Sequence, residues 1–323
     1  MSRAVYLQAS QGQGSASSGR LQQLAQQPVV LLLVTGTLFG FNFPLGKIAG
    51  EAGVSPMIWA MIVSLGACVL LLPVLIAKRR LVVPKGRMIR YVIISAIISF
   101  IAPNLLLFSV IPHAGAGYTG LMFALSPVFT LALSIVFRLK IPSRIGLIGI
   151  AAGLLGAMIV SVTRGAAPSA PPTLWIIAAL VIPVTLACGN VYRTLDWPEN
   201  ASPDVLAFWS HAFSIVVFLS LMWATKGSIP VGELTLAPLA ALAQMLVAGL
   251  MFPVFFRLQQ QGGPVFLSQL GYVAAAVGLI AATFLLDEHY SAMTWVGAAI
   301  IAVGIVITVV AQITERRTDL VNR

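Results

Sequence analysis

The sequence predicts an all-α integral membrane protein of ten transmembrane helices, arranged as two inverted five-helix repeats. Three observations carry that expectation. The 323 residues are 59% hydrophobic and only 9% charged, against roughly 25% charged in ordinary soluble domains. So few charges cannot cover a soluble globule of this size. Ten apolar runs of bilayer length follow one another, and the two halves of the chain align at a fixed offset. The composition excludes a soluble enzyme and a disordered chain alike.

Residues 1–27, rich in Gln, Ser and Gly, have no apolar periodicity and read as a flexible cytoplasmic tail. They do not read as a signal peptide, because the run that follows is too long and lacks a small-residue cleavage site. Crossing ~30 Å of hydrocarbon takes about 20 apolar residues as a helix. The runs of the first half are Pro28–Ile48, Ser55–Ala77, Met88–Ile111, Ala114–Phe137 and Pro142–Val162. Those of the second are Leu174–Leu195, Pro203–Thr225, Leu236–Phe256, Pro264–Leu286 and Ser291–Ile313. None alternates as a lipid-facing barrel strand would. Residues 28–162 thus form a first repeat, 163–173 a linker, 174–313 a second repeat and 314–323 a cytoplasmic tail.

Cations test the helix tally. Sixteen of the 19 Lys and Arg residues fall on the side of the N-terminal tail, and only Lys47, Arg164 and Lys226 on the other. The positive-inside rule then puts both termini in the cytoplasm of a plasma membrane, or of the inner membrane in a bacterium. The net charge of +10 sits in short loops, so its expected partner is anionic lipid headgroup and not nucleic acid. Cys68 and Cys188 lie in apolar runs without a CxxC pair or a cluster of His or acids. They read as small buried hydrophobes, and no metal or cofactor is expected.

Residues 114–162 align without gaps on 262–310 at an offset of 148, which pairs Gly115 with Gly263, Gly149 with Gly297 and Gly156 with Gly304. The same offset pairs Asn42 with Asn190. A five-helix unit crosses an odd number of times, so its copy enters from the opposite face. Two such halves can gate a shared midplane site from either side, which is the geometry of alternating access.

Three stretches resemble a known family. Gly120-Leu121-Met122-Phe123-Ala124-Leu125-Ser126-Pro127-Val128-Phe129 resembles the fourth helix of EamA-type members of the drug/metabolite transporter superfamily. Leu285 to Gly297 resembles the family's junction of helices 9 and 10, and Gly40 to Lys47 its first helix. The first repeat departs from the second in carrying Lys140 where the second has Glu288. The resemblance implies a ten-helix carrier, often an exporter of amino acids or small metabolites, whose helices 1, 3, 4, 6, 8 and 9 line the cavity.

Polar side chains within the membrane are costly unless paired or facing a cavity. Asn42 and Asn190 lead the candidates through repeat symmetry; they either contact solute or hold helices together. Tyr118, Ser126, Gln244, Ser268, Gln269 and Tyr272 lie on helices the resemblance puts around the cavity. Phe39 and Phe43 stand one helical turn apart and suit an apolar wall or simple packing. Lys47 at one end of helix 1, and Tyr192 and Arg193 at the end of helix 6, are gating candidates, with membrane-interface anchoring the alternative. Asn104 and His211 read as structural, and Glu288 as a cap of helix 10. The glycines at 149 and 153 leave monomer and homodimer both open.

No Asp or Glu lies in the middle third of any run, and no HExxH, GxSxG or Walker motif is present. The expected function is secondary transport of a small polar metabolite, with amino-acid export as its narrower form. The alternative is a membrane-embedded enzyme acting on a lipid-linked substrate.

Overall fold

The computed structural model describes residues 27–139, 142–165 and 172–321. Residues 1–26 of the expected tail, 166–171 of the expected linker, and Lys140 lie outside the described residues. The helices are α1 (Pro28–Gly40), α2 (Asn42–Glu51), α3 (Pro56–Ala77), α4 (Arg87–Ser95), α5 (Ala102–Ala114), α6 (Ala116–Phe123) and α7 (Ser126–Val136). They continue as α8 (Arg144–Gly165), α9 (Thr173–Leu195), α10 (Pro203–Lys226), α11 (Pro238–Ser268), α12 (Leu270–Leu286) and α13 (Ala292–Val321).

Eight stretches are long and apolar enough to span a bilayer, and Arg144–Ile159 and Leu270–Leu286 are shorter apolar helices. The chain is a multi-pass, all-α membrane protein. Large apolar side chains such as Leu239, Phe284 and Val136 are exposed, as a lipid-facing surface requires.

Several runs are interrupted, each for a local reason. Pro44 has no N–H to return to Gly40, and its ring crowds the preceding turn. The helix breaks at Phe41, where the Asn42 side-chain amide donates to the carbonyls of Phe39 (2.9 Å) and Leu38 (3.4 Å). Ahead of Pro103 the third span passes through a π-helical turn, Ala96–Ile101, a feature that tends to mark functional sites. Ala124 and Leu125 part α6 from α7 just before Pro127.

The alignment pair Gly115 and Gly263 share one unusual backbone geometry. Gly115 has φ 90°, ψ 156° and turns the chain from α5 into α6. Gly263 has φ 71°, ψ −177° and kinks α11. Only glycine occupies this region without strain.

The tightest pair of helices is α8 against α13. A Cβ on Gly304 would stand 2.7 Å from the carbonyl oxygen of Gly149, and one on Gly156 would stand 2.5 Å from that of Gly297. The glycine ridge of α8 is therefore engaged within the chain. The bundle of α3, α10 and α11 forms the other flank, and α1 packs on α11 and α12.

Two expectations are corrected. The eighth run does not stop at Phe256; the helix continues through Arg257-Leu258-Gln259 to the kink, because its last two turns pack among neighbouring helices. The last helix runs on to Val321. Cys188 is exposed, on the outward face of α9, while Cys68 is buried. His113 belongs to the last turn of α5 and stacks on Trp175 with ring centroids 3.7 Å apart.

Alanine at Gly115 or at Gly263 is expected to cost about 1–3 kcal/mol each, lowering the melting temperature in detergent. Gly232→Ala, at an open position of ordinary backbone geometry, should leave it unchanged. Differential scanning fluorimetry of the three variants checks this.

Candidate functional site

A small cavity of ≈ 30 Å³ lies inside the bundle. Its walls come from α1 (Phe39), the third span (Ser99, Phe100, Pro103, Asn104 and Leu107) and the α6–α7 segment (Phe123, Ser126). The second half contributes Ile182, Leu186, Asn190 and Arg193 from α9, Phe252, Phe255 and Ser268 from α11, and Leu270 from α12. These are the six segments that the resemblance implied. The third span, Arg87–Ala114, fixes the depth of the site: Ser99 to Leu107 stand near its middle. The π-helical turn widens the helix there and turns Ser99 and Phe100 inward.

Among the described residues, Arg193 is the only charged one lining the cavity. It is 1% exposed. Its Nη2 donates to Asn190 Oδ1 (2.7 Å) and Gln259 Oε1 (3.2 Å). The guanidinium carbon lies 4.9 Å from the Phe255 ring centroid and 5.6 Å from that of Phe100, a cation–π setting. Gln259 in turn donates from Nε2 to the Asn190 carbonyl (3.1 Å) and to Thr194 Oγ1 (2.5 Å). Asn190 Nδ2 reaches Thr130 Oγ1 on α7 at 3.4 Å.

Asp196, three residues after Arg193, pairs elsewhere. It accepts from Arg90 Nη2 (2.5 Å), Arg87 Nε (3.0 Å) and Tyr192 Oη (2.7 Å). Burial alone would push its carboxyl pKa up, but the hydrogen bonds from Arg90, Tyr192 and Arg87 outweigh that and hold it at about 2, against an ordinary 3.8. This cluster stands at the start of the third span.

A second ion pair stands just past the end of that same span. Lys47 Nζ donates to Glu288 Oε1 at 2.5 Å and lies 3.7 Å from Glu51. Glu288 also accepts from Tyr290 Oη and from the backbone N–H groups of Ala116 (3.3 Å) and Gly117 (3.4 Å). Burial favours its neutral form, yet Lys47, Tyr290 and the Ala116 N–H hold the pKa below the usual carboxylate range. Glu288 thus caps α6 and not the last helix, because the chain turns back over the start of α6 after Leu286. A helix of 28 residues, at 1.5 Å per residue, separates the two clusters by about 40 Å.

The structure divides the sequence-derived candidates. Phe39, Asn104, Ser126, Asn190, Arg193 and Ser268 line the cavity. Asn42 does not; its Oδ1 accepts from Gln244 Nε2 at 2.7 Å, joining α2 to α11. Phe43 is buried behind Phe39 and Phe123. Tyr272 is buried at the α8 contact, donating to the Ile150 carbonyl at 3.1 Å. Tyr118 and Gln269 are buried away from the cavity walls. Tyr192 binds Asp196, and Lys47 binds Glu288.

Arg193 is no interface anchor: α4, the π-helical turn and α11 close over this end of α9. Gln259, Ser99, Phe100, Phe252 and Phe255 went unread in the sequence. Gln259 sits in a polar run that resembles a loop, and the others are ordinary apolar-run residues with no distinguishing pattern. Among the described residues no group of three His, Cys, Asp or Glu side chains comes together as a metal site.

Residues 26–162 match the EamA-like transporter family. The first part of the chain is thereby an EamA-like transporter domain. No curated protein matches the chain. Of 24 solved chains that match, one described as "Crystal structure of protein" superposes with TM-score 0.64 at 17% identity, covering 87% of this chain and 98% of its own. It is similar in fold.

The Asp196 clamp has a defined pH dependence. A carboxyl whose folded pKa lies below its unfolded value stabilises the fold above that unfolded value, and the contribution is lost as pH falls through the folded one. Asp196→Asn should therefore melt at a lower temperature than the parent at pH 7. The difference should persist to about pH 4 and disappear as pH falls toward 2. Melting curves of both proteins across that range check it.

Proposed function

We propose that the chain is a secondary carrier that moves a small polar metabolite by alternating access, through ten crossings built as two inverted five-helix repeats. The observation that carries this reading is the cavity midway along the third span, walled by both halves of the chain and flanked by an ion-pair cluster toward each end.

The glycine contacts support the inverted repeat. Gly149 aligns with Gly297 and Gly156 with Gly304, yet Gly149 meets Gly304 and Gly156 meets Gly297. Crossed contacts between equivalent residues are the mark of a two-fold relation. The shared backbone geometry of Gly115 and Gly263 supports it as well.

Each ion-pair cluster joins the two halves: Lys47 to Glu288 at one end, and Arg87 and Arg90 to Asp196 at the other. In this reading they are gates, and parting one while keeping the other opens the cavity to a single side. The EamA-like domain supports a transporter, and amino acids are among the solutes the resemblance implies. The basic loop of Arg79, Arg80, Lys85 and Arg87 beside a surface cleft supports contact with anionic headgroups and a cytoplasmic placement of that face in a plasma or inner membrane.

In proteoliposomes, counterflow of labelled amino acids and organic acids should saturate and accelerate when the same solute is present on the far side. Flux that rises linearly without exchange would mean a channel.

The two asparagines should separate. Asn190→Ala removes an acceptor of Arg193 and is expected to lower transport at least ~10-fold, as loss of a charge-assisted hydrogen bond does. Asn42→Ala strands the Gln244 amide, costing about 1–3 kcal/mol of stability with transport per folded molecule retained. Uptake assays normalised to folded protein check both.

A further inference from the structure

Arg193 holds a full positive charge inside the bundle with no acid against it. Its acceptors are the neutral amide oxygens of Asn190 and Gln259, and its Nε has no partner. Asp196, the nearest acid in sequence, is committed to Arg87, Arg90 and Tyr192. A buried ion lacking a counter-charge is costly unless something supplies one. Beside it, the Ser99 hydroxyl is buried, lines the same cavity and has no hydrogen-bond partner. Both groups flank Gly189: a Cβ there would stand 3.1 Å from Arg193 Nη1 and 3.1 Å from Ser99 Cβ. Both residues line one cavity, and each carries a buried donor without a hydrogen-bond partner, one of them charged.

We propose that Arg193 and Ser99 form the anion-binding end of the transport site, and that the solute is a small organic monocarboxylate with an apolar body. The argument rests on the carrier reading above and narrows its substrate. A carboxylate can accept from the unpartnered Nε of Arg193 and from the Ser99 hydroxyl, while Nη2 keeps its two amide acceptors. The rest of the wall is phenylalanine and aliphatic, among it Phe39, Phe123, Phe252 and Leu107. An inorganic anion leaves that apolar wall without a partner. A zwitterion leaves the cavity with a net positive charge, because none of the described lining residues is acidic. A monocarboxylate neutralises Arg193 and covers the apolar wall at once.

The test uses the full chain with two readouts: ligand-induced melting shifts in detergent, and exchange in proteoliposomes. The probes are phenylacetate, benzoate and hexanoate, against phenylalanine, phenethylamine, chloride and inorganic phosphate. The proposal expects at least one of the three carboxylates to raise the melting temperature and to exchange saturably. It expects phenylalanine to be at least ~10-fold weaker, and phenethylamine and the inorganic anions to be without effect. Arg193→Gln should weaken the carboxylate at least ~10-fold. Ser99→Ala, a change that removes one oxygen from an otherwise unchanged helix, should weaken it by a smaller factor. It keeps the test valid should Arg193→Gln not fold.

Phenylalanine, phenethylamine or an inorganic anion matching the best carboxylate overturns the proposal and leaves the carrier reading standing. So does a well-folded Arg193→Gln that binds carboxylate as the parent does. No melting shift from any of the three carboxylates also overturns it. Melting shifts from a carboxylate without exchange of any solute would instead sink the carrier reading and keep the site.

Discussion

Within a bilayer each unpaired backbone N–H or C=O costs several kcal/mol, since no water is at hand to accept it. That constraint decides where this chain can depart from regular helix. The described departures are the break at Phe41, the π-helical turn Ala96–Ile101, the break at Ala124 and Leu125, the kink at Gly263 and the turn at Gln269. All five fall in segments that wall the cavity. The helices α3, α8, α10 and α13, which contribute nothing to its lining, run without interruption. Irregular backbone is confined to where protein, and not lipid, surrounds it. Proline and asparagine shape it locally: Pro44 opens the helix, and the Asn42 side-chain amide donates to the carbonyls of Phe39 and Leu38 beside the break.

Charge follows the same logic. The two ion-pair clusters sit where the third span begins and just after it ends, near enough to the headgroups to keep their arginines partly solvated. Between them the described interior holds amides, hydroxyls, the His211 imidazole and the Arg193 guanidinium. Arg193 is tolerated there because Phe100 and Phe255 face it and two amide oxygens accept from it. Each of these supports is partial, and none carries a negative charge.

Much of this was legible in the sequence, and for physical reasons. Apolar runs of about 20 residues report helices that must cover themselves in lipid, and the observed elements fall on those runs. Gly115 and Gly263 could be paired from spacing alone because a turn of that geometry accepts no other residue. The misreadings share one cause. Arg193 and Gln259 stand near the ends of apolar runs, where hydropathy and the positive-inside rule assign cations and polar residues to the interface. Whether such a residue meets headgroups or protein depends on what packs over it, here α4, the π-helical turn and α11, and no local pattern encodes that. Tyr272 failed in the opposite direction: the helix was rightly placed beside the cavity, but the tyrosine points at the backbone of α8.

The residues paired at the offset of 148 show one further contrast, between matched helix contacts and an unmatched site. The frame keeps its pairs: the glycine crossings of α8 and α13, and the turns at Gly115 and Gly263. The equivalent asparagines even behave alike in one respect, since Asn42 bonds Gln244 and Asn190 bonds Thr130, each reaching into the other half. The chemistry does not repeat. At the offset of 148, Arg193 corresponds to Leu45 and Glu288 to Lys140. A solute with distinct ends is recognised by a site with distinct ends. A single cation on α9, facing a wall of phenylalanines, gives the cavity that polarity, and the crossed glycine contacts of α8 and α13 lie apart from it.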